Sequence, residues 1–187
     1  MASILKVDKI RGTGLDSDSI SIDGSGNLTT VKTLSAPGHV IQVQQGLYTS
    51  NTSFTNTSMA ASDLTVNITP TSTSSKILLL SSCQMGYPGQ NYGVTMTFLR
   101  GSTNLASTTR PGFAHIGDST GGNQRTYQML TITMNFLDSP STTSQITYSV
   151  GFKLDTGTGY FNRNRQGDVG SRGTSVITAM EIAQWVD

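Results

Sequence analysis

The chain is predicted to be an all-β protein: an antiparallel β-sandwich knob of jelly-roll type behind an extended N-terminal β arm. Three observations point there. Apolar and polar residues alternate with a period of two through long stretches of the 187 residues, the signature of strands with one buried and one polar face. No segment sustains three turns of helical periodicity with good helix formers. Ser and Thr number 24 and 28, while charged residues make up only 12%, about half of the roughly 25% usual in soluble domains. A surface so built is mostly neutral hydroxyl and amide.

Taken in order, the first 38 residues stand apart. Lys6, Asp8, Lys9, Arg11, Asp16, Asp18, Asp23 and Lys32 crowd them with charge. Ile20 to Thr29 reads as two short strands around the Gly24-Ser25-Gly26 turn, and Ala36-Pro37-Gly38 is a natural joint. An arm with so few apolar positions cannot bury a core alone and orders only against another chain. Leu5, Val7, Ile10, Ile20 and Ile22 are its candidate anchoring contacts.

The second region, 39–187, carries the alternation. Leu64-Val66-Ile68 and Val94-Met96-Phe98 are short copies; Leu130 to Phe136 and Ile146 to Leu154 are long ones. Ile77-Leu78-Leu79-Leu80 is continuous and is expected to be a strand buried on both faces, at a subunit contact. Val176 to Ile182 is ambiguous by period, but its β-branched start and short length favour a strand. Turn signals separate these runs at Thr69 to Ser75, Arg100 to Asn104 and Asp138 to Ser141. Residues 106–124 and 162–173 read as irregular. Eight or nine strands in this region suit a sandwich or jelly roll.

Composition also excludes function classes. Twelve basic against eleven acidic residues leave a net charge of +1, too balanced for a general nucleic-acid binder. The longest apolar run, Ile77 to Leu80, is far short of a membrane span. The opening residues show no basic segment followed by an apolar one, so no signal peptide is expected. Cys83 is the only cysteine, so no intrachain disulfide can form.

Candidate chemistry is thin. Gly117-Asp118-Ser119-Thr120-Gly121 matches the G-x-S-x-G pattern, but Gly122-Asn123-Gln124 follows where a nucleophile elbow needs a helix. Neither His39 nor His115 is placed as a base for Ser119. Asp16, Asp18, Asp23 and Asn27 present oxygens without an EF-hand register or closing Glu. No cofactor, catalytic or metal-binding residues are therefore assigned. Cys83, on a strand, reads as a small buried hydrophobe. The residues suited to stacking on and pairing with a glycan are Tyr87, Tyr92, Tyr160, Arg163 and Arg165, all in or beside loops.

Several stretches together resemble a family: small virion proteins of tailed bacteriophages, of the fibre, tail or head-decoration type. They are Ser3 to Ile10, Ile22 to Thr29, Gly38 to Val43, Val66-Asn67-Ile68-Thr69-Pro70 with Ser74 to Leu78, and Leu99 to Ser102. Phe136 to Pro140, Gly159 to Arg163 and Ala179 to Ile182 complete the set. The resemblance implies a homotrimeric β-sandwich knob on a virion-anchoring arm, assembled in the bacterial host cytoplasm. The partners it implies are two further copies and another phage structural protein, either a tail adaptor or the major capsid protein. A host-surface glycan would be a third, with no nucleic acid and no membrane insertion. A capsid decoration or cement protein is the alternative within this class; a carbohydrate-binding, lectin-like module is the alternative outside it.

Overall fold

A computed structural model of the protein describes residues 9–10, 20–22, 25–30, 38–86, 93–117, 128–167 and 172–184. The chain divides into two units, Met1–Ala36 and Pro37–Asp187. In the first, β1 (Lys9–Ile10), β2 (Ile20–Ile22) and β3 (Leu28–Thr30) form a small antiparallel sheet in that order. Gly26, at φ +83°, supplies the left-handed residue that the turn between β2 and β3 requires.

The second unit holds eleven strands among its described residues. They are β4 (Val40–Tyr48), β5 (Thr52–Phe54), β6 (Ala60–Ile68), β7 (Lys76–Gly86), β8 (Gly93–Arg100), β9 (Thr103–Asn104) and β10 (Ala114–Gly117). β11 (Met129–Asp138), β12 (Ile146–Leu154), β13 (Gly159–Phe161) and β14 (Ser175–Ile182) follow. All pairings are antiparallel. One sheet runs β11-β7-β14-β4, with β13 and β5 continuing the lines of β14 and β4 past the end of β14. The other runs β10-β8-β12-β6, with β9 beside β8.

The pairing is nested. β4 pairs β14, β6 pairs β12, β7 pairs β11 and β8 pairs β10. The eight strands are one long hairpin, closed near β8 and β10 and rolled so that alternate pairs fall in opposite sheets. This is a jelly roll, and the all-β sandwich expected from the sequence is observed.

The core lies between the sheets. Every second residue of β7, of β14 and of β6 from Leu64 on is buried, including Leu64, Val66, Ile68, Ile77, Leu79, Ile177 and Ala179. Each of these Val, Leu and Ile side chains contributes about 1.5–3 kcal/mol on burial. Two aromatic groups brace the ends: Tyr48, Phe161, Phe152 and Phe54 at one, Phe98, Phe113 and Phe136 at the other. Phe113 comes from the stretch expected to be irregular. That stretch also contains β10, a strand defined by its register with β8 and not by alternation of its own.

Within the single chain only one face of the Ile77–Leu80 run is covered. Ile77 and Leu79 are fully buried, but Leu78 is half-buried and Leu80 exposed. β8 is buried on both faces, with Thr95, Thr97 and Leu99 covered as well as Val94, Met96 and Phe98, and so is β12 from Tyr148 to Phe152. Asn104 accepts from the Thr97 hydroxyl at 2.6 Å and Gly112 lies against Thr95, so the chain folds its own loop over the outer side of β8. The segment Val176 to Ile182 is a strand, as its β-branched start predicted.

Candidate functional site

The register places one surface in view that periodicity alone does not assemble: the outer face of the β11-β7-β14-β4 sheet. Leu137 pairs Leu78, Leu78 pairs Met180 and Met180 pairs Val43, so four apolar side chains cross four strands in one row. The next row is Asn135, Leu80, Thr178 and Gln45, and beyond it lie Thr133, Ser82, Val176 and Leu47. On the other side of the apolar row stand Lys76, Ile182 and Val40. Lys76 is the only charge in these rows, and its ammonium donates to Ser139 Oγ at 2.6 Å on the rim.

The exposed large apolar side chains belong to this face: Leu47 is 63% exposed, Val43 52%, Leu137 51%, Val40 48% and Leu80 38%. Isolated exposed leucines are ordinary; a contiguous apolar patch marks an interaction surface. Four strands about 4.8 Å apart and about eight residues long span roughly 500 Å² in projection, before side-chain relief is counted. At the far end the chain covers the face itself. The backbone of Arg163 and Asn164 sits directly over Gly86, and Gly173 lies against Gln84 and Met129. Among the described residues that cover ends at Gln84, and the rows beyond it keep exposed apolar side chains.

The covering loop is held by Asn162, a fully buried residue at φ +58°. Its Nδ2 donates to Tyr48 O at 2.6 Å and to Ser50 O at 3.2 Å, and its Oδ1 accepts from Ser175 Oγ at 2.6 Å. Asparagine tolerates the left-handed region better than other non-glycine residues. An isolated bridge joins Arg163 to Arg172 across the loop. Arg163 packs over the Tyr160 ring at 5.0 Å, so these two glycan candidates meet each other. Arg165 is exposed on the same loop. Tyr87 and Tyr92 lie outside the described residues, as do Leu5 and Val7. Ile10, Ile20 and Ile22 stand in the first unit's sheet, with Ile10 opposite Ile20 and Ile22 opposite Leu28.

At the open end of the face, Glu181 is fully buried, and its hydrogen-bond partners among the described residues are all neutral. Gln42 Nε2 donates to its Oε2 at 2.6 Å; Thr71 N, Thr71 Oγ1 and Ser75 Oγ each donate to its Oε1 at 2.7 Å. Burial pulls its pKa up, but these hydrogen bonds outweigh burial and hold the carboxyl below its ordinary value of 4.5. The carboxylate ties β4, β14 and the Thr69 to Ser75 turn together. Asp138 does the same between the sheets: Arg100 donates to it at 2.9 and 3.1 Å and the Tyr148 hydroxyl at 2.6 Å. Burial, with the Asp138 carboxylate alongside, pushes the Tyr148 phenol well above its usual range.

Nucleophilic chemistry finds little support here. Cys83 is fully buried and burial pushes its thiol up to about 12, far from the thiolate that reactivity needs. Ser119 lies outside the described residues. His115 Nδ1 is 3.1 Å from Thr95 Oγ1 in an open cleft of about 450 Å³ that Arg110 and Lys153 also line. The two histidines looked isolated in sequence; the β8–β10 register is what brings His115 beside Thr95, and Thr95 beside Lys153.

No protein-family model matches the sequence, and no curated protein matches it. Among solved structures the chain is similar to VP2 of infectious bursal disease virus. Against a mutant VP2 in derived T=1 particles, identity is 11% and the TM-score 0.40, over 95% of this chain and 42% of that one. Against the VP2 subviral particle, identity is 11% and the TM-score 0.39, over 95% and 43%. The chain spans less than half the length of either VP2 chain.

Proposed function

We propose that the protein is a non-enzymatic structural component of a tailed-bacteriophage particle, a homotrimeric fibre-type knob at residues 39–187 held to the virion by the arm at 1–38. The observation that carries this reading is a jelly roll with one broad outer face that mixes exposed apolar side chains with hydroxyls and amides and is almost free of charge. Jelly rolls serve capsids, lectins and cupins alike, so the fold does not choose among them. An apolar sheet face of this size favours assembly over solitary binding. The phage assignment rests on the sequence resemblance. In this reading Leu5, Val7, Ile10, Ile20 and Ile22 contact a tail adaptor or the major capsid protein. Arg165, the Tyr160–Arg163 pair, Tyr87 and Tyr92 are presented to host-surface glycan.

The test is incorporation. Phage assembled with a chain lacking residues 1–38 is expected to leave the knob free in the lysate; normal incorporation overturns the anchor assignment. Copy number per particle then separates the two positions, with hundreds of copies placing the protein on the head as a decoration protein and a few tens or fewer placing it on the tail.

A further inference from the structure

We infer that the outer face of the β11-β7-β14-β4 sheet is the surface by which one copy of this chain packs against another. The inference rests on the oligomeric reading above and locates its contact.

Three features of the face select a second copy as the occupant. The first is charge. Three identical faces turned toward a common three-fold axis bring like groups together at that axis, and a charged patch so placed is repelled or must be desolvated unpaired. The rows from Leu78 to Ser82 carry no charge, their polar members being hydroxyls and amides, and Lys76 stands at their rim bonded to Ser139. A charge-selected partner would find nothing to pair with. The second is extent. The face spans roughly 500 Å² in projection, and relief brings it near the ~800 Å² that each partner gives to a standard interface. The third is the limit of self-cover. The chain lays Arg163 and Asn164 over Gly86 and Gly173 against Gln84, and no described residue is laid over the rows from Ser82 to Lys76 in the same way. What the chain leaves open is a sheet surface of the kind its two sheets already pair in the core.

Val43 and Leu80 test this, because both are exposed within the chain and lysine at either can reach water in an isolated copy. Native mass measurement and sedimentation would compare the full-length protein with Val43→Lys, Leu80→Lys and the double variant. Thr65→Lys, at an exposed position on the other sheet, serves as control. Circular dichroism and cooperative unfolding verify that each variant folds. The wild type and Thr65→Lys are expected to assemble, and each face variant to associate roughly 100-fold or more weakly, since an unpaired ammonium would be trapped between copies.

Folded face variants that assemble as the wild type does overturn the inference while the oligomeric reading stands. A wild type that is monomeric at every concentration overturns the inference; if its face variants also fail to enter particles, the face belongs to another virion protein. A wild type that assembles through this face yet never joins a particle upholds the inference and removes the virion reading.

Discussion

Glu181→Gln isolates the worth of a buried carboxylate held by neutral donors. The substitution keeps the shape and removes the charge. Three donors converge on Oε1, and an amide oxygen in the same place accepts them as neutral bonds. A hydrogen bond to a charged group contributes about 1.5–3 kcal/mol and a neutral one about 0.5–1.5, so each bond weakens by about 1 kcal/mol. The fourth fares worse. The new amide nitrogen would face Gln42 Nε2, and Gln42 can turn its oxygen inward only by giving up its 2.7 Å bond to Thr69 O. The expected loss at pH 7 is about 3–5 kcal/mol, out of the 5–15 typical of a domain. Urea unfolding of wild type and variant at fixed protein concentration reads it directly. The pH dependence has a definite sign. The folded pKa lies below the ordinary 4.5, so the stabilisation is complete above that value and is lost as pH falls through the folded pKa. The gap between the two proteins should therefore narrow in acid, where the wild-type carboxyl is also protonated. A gap under 1 kcal/mol at neutral pH, or one equally wide in acid, refutes the assignment.

Three further outcomes are expected. Gly46→Ala places a methyl group against the Thr65 carbonyl oxygen where β4 and β6 meet and should cost about 1–3 kcal/mol in thermal or urea unfolding; an unchanged midpoint would show that the strands can separate freely. Asn162→Ala strands the Tyr48 and Ser50 carbonyls and keeps the left-handed backbone, for a loss of about 3–5 kcal/mol. Asn162→Gly, which relieves the backbone alone, should recover about 1 kcal/mol of that, and equal losses would remove the backbone argument. Cys83 should resist a thiol reagent in the native protein and react fully in urea, because burial pushes its pKa up to about 12; rapid native labelling would place it at a surface.

Most of the long strands were legible in the sequence because alternation is carried by residues two apart. Leu130 to Phe136 and Ile146 to Leu154 announce themselves without reference to any neighbour. β10 and β13 do not: Ala114–Gly117 and Gly159–Phe161 are strands because β8, β5 and β7 lie beside them. The Ile77–Leu80 run signalled something beyond one core, but its sequence reads the same whether one face or both are covered. Burial of polar groups was equally silent. Nothing local distinguishes Glu181 and Asn162 from their exposed counterparts; their partners, Thr71 and Tyr48, lie more than a hundred residues away in sequence.

By itself, then, the sequence determined the all-β class and the near-absence of charge from residue 39 to residue 99, since pattern and composition are properties of a chain before it folds. The tertiary structure alone decided the nested order of the strands, and with it which residues become neighbours. Leu137, Leu78, Met180 and Val43 are scattered over nearly a hundred and forty positions. Only cross-strand register sets them side by side, because hydrogen bonding between strands fixes contacts that no spacing along one strand encodes.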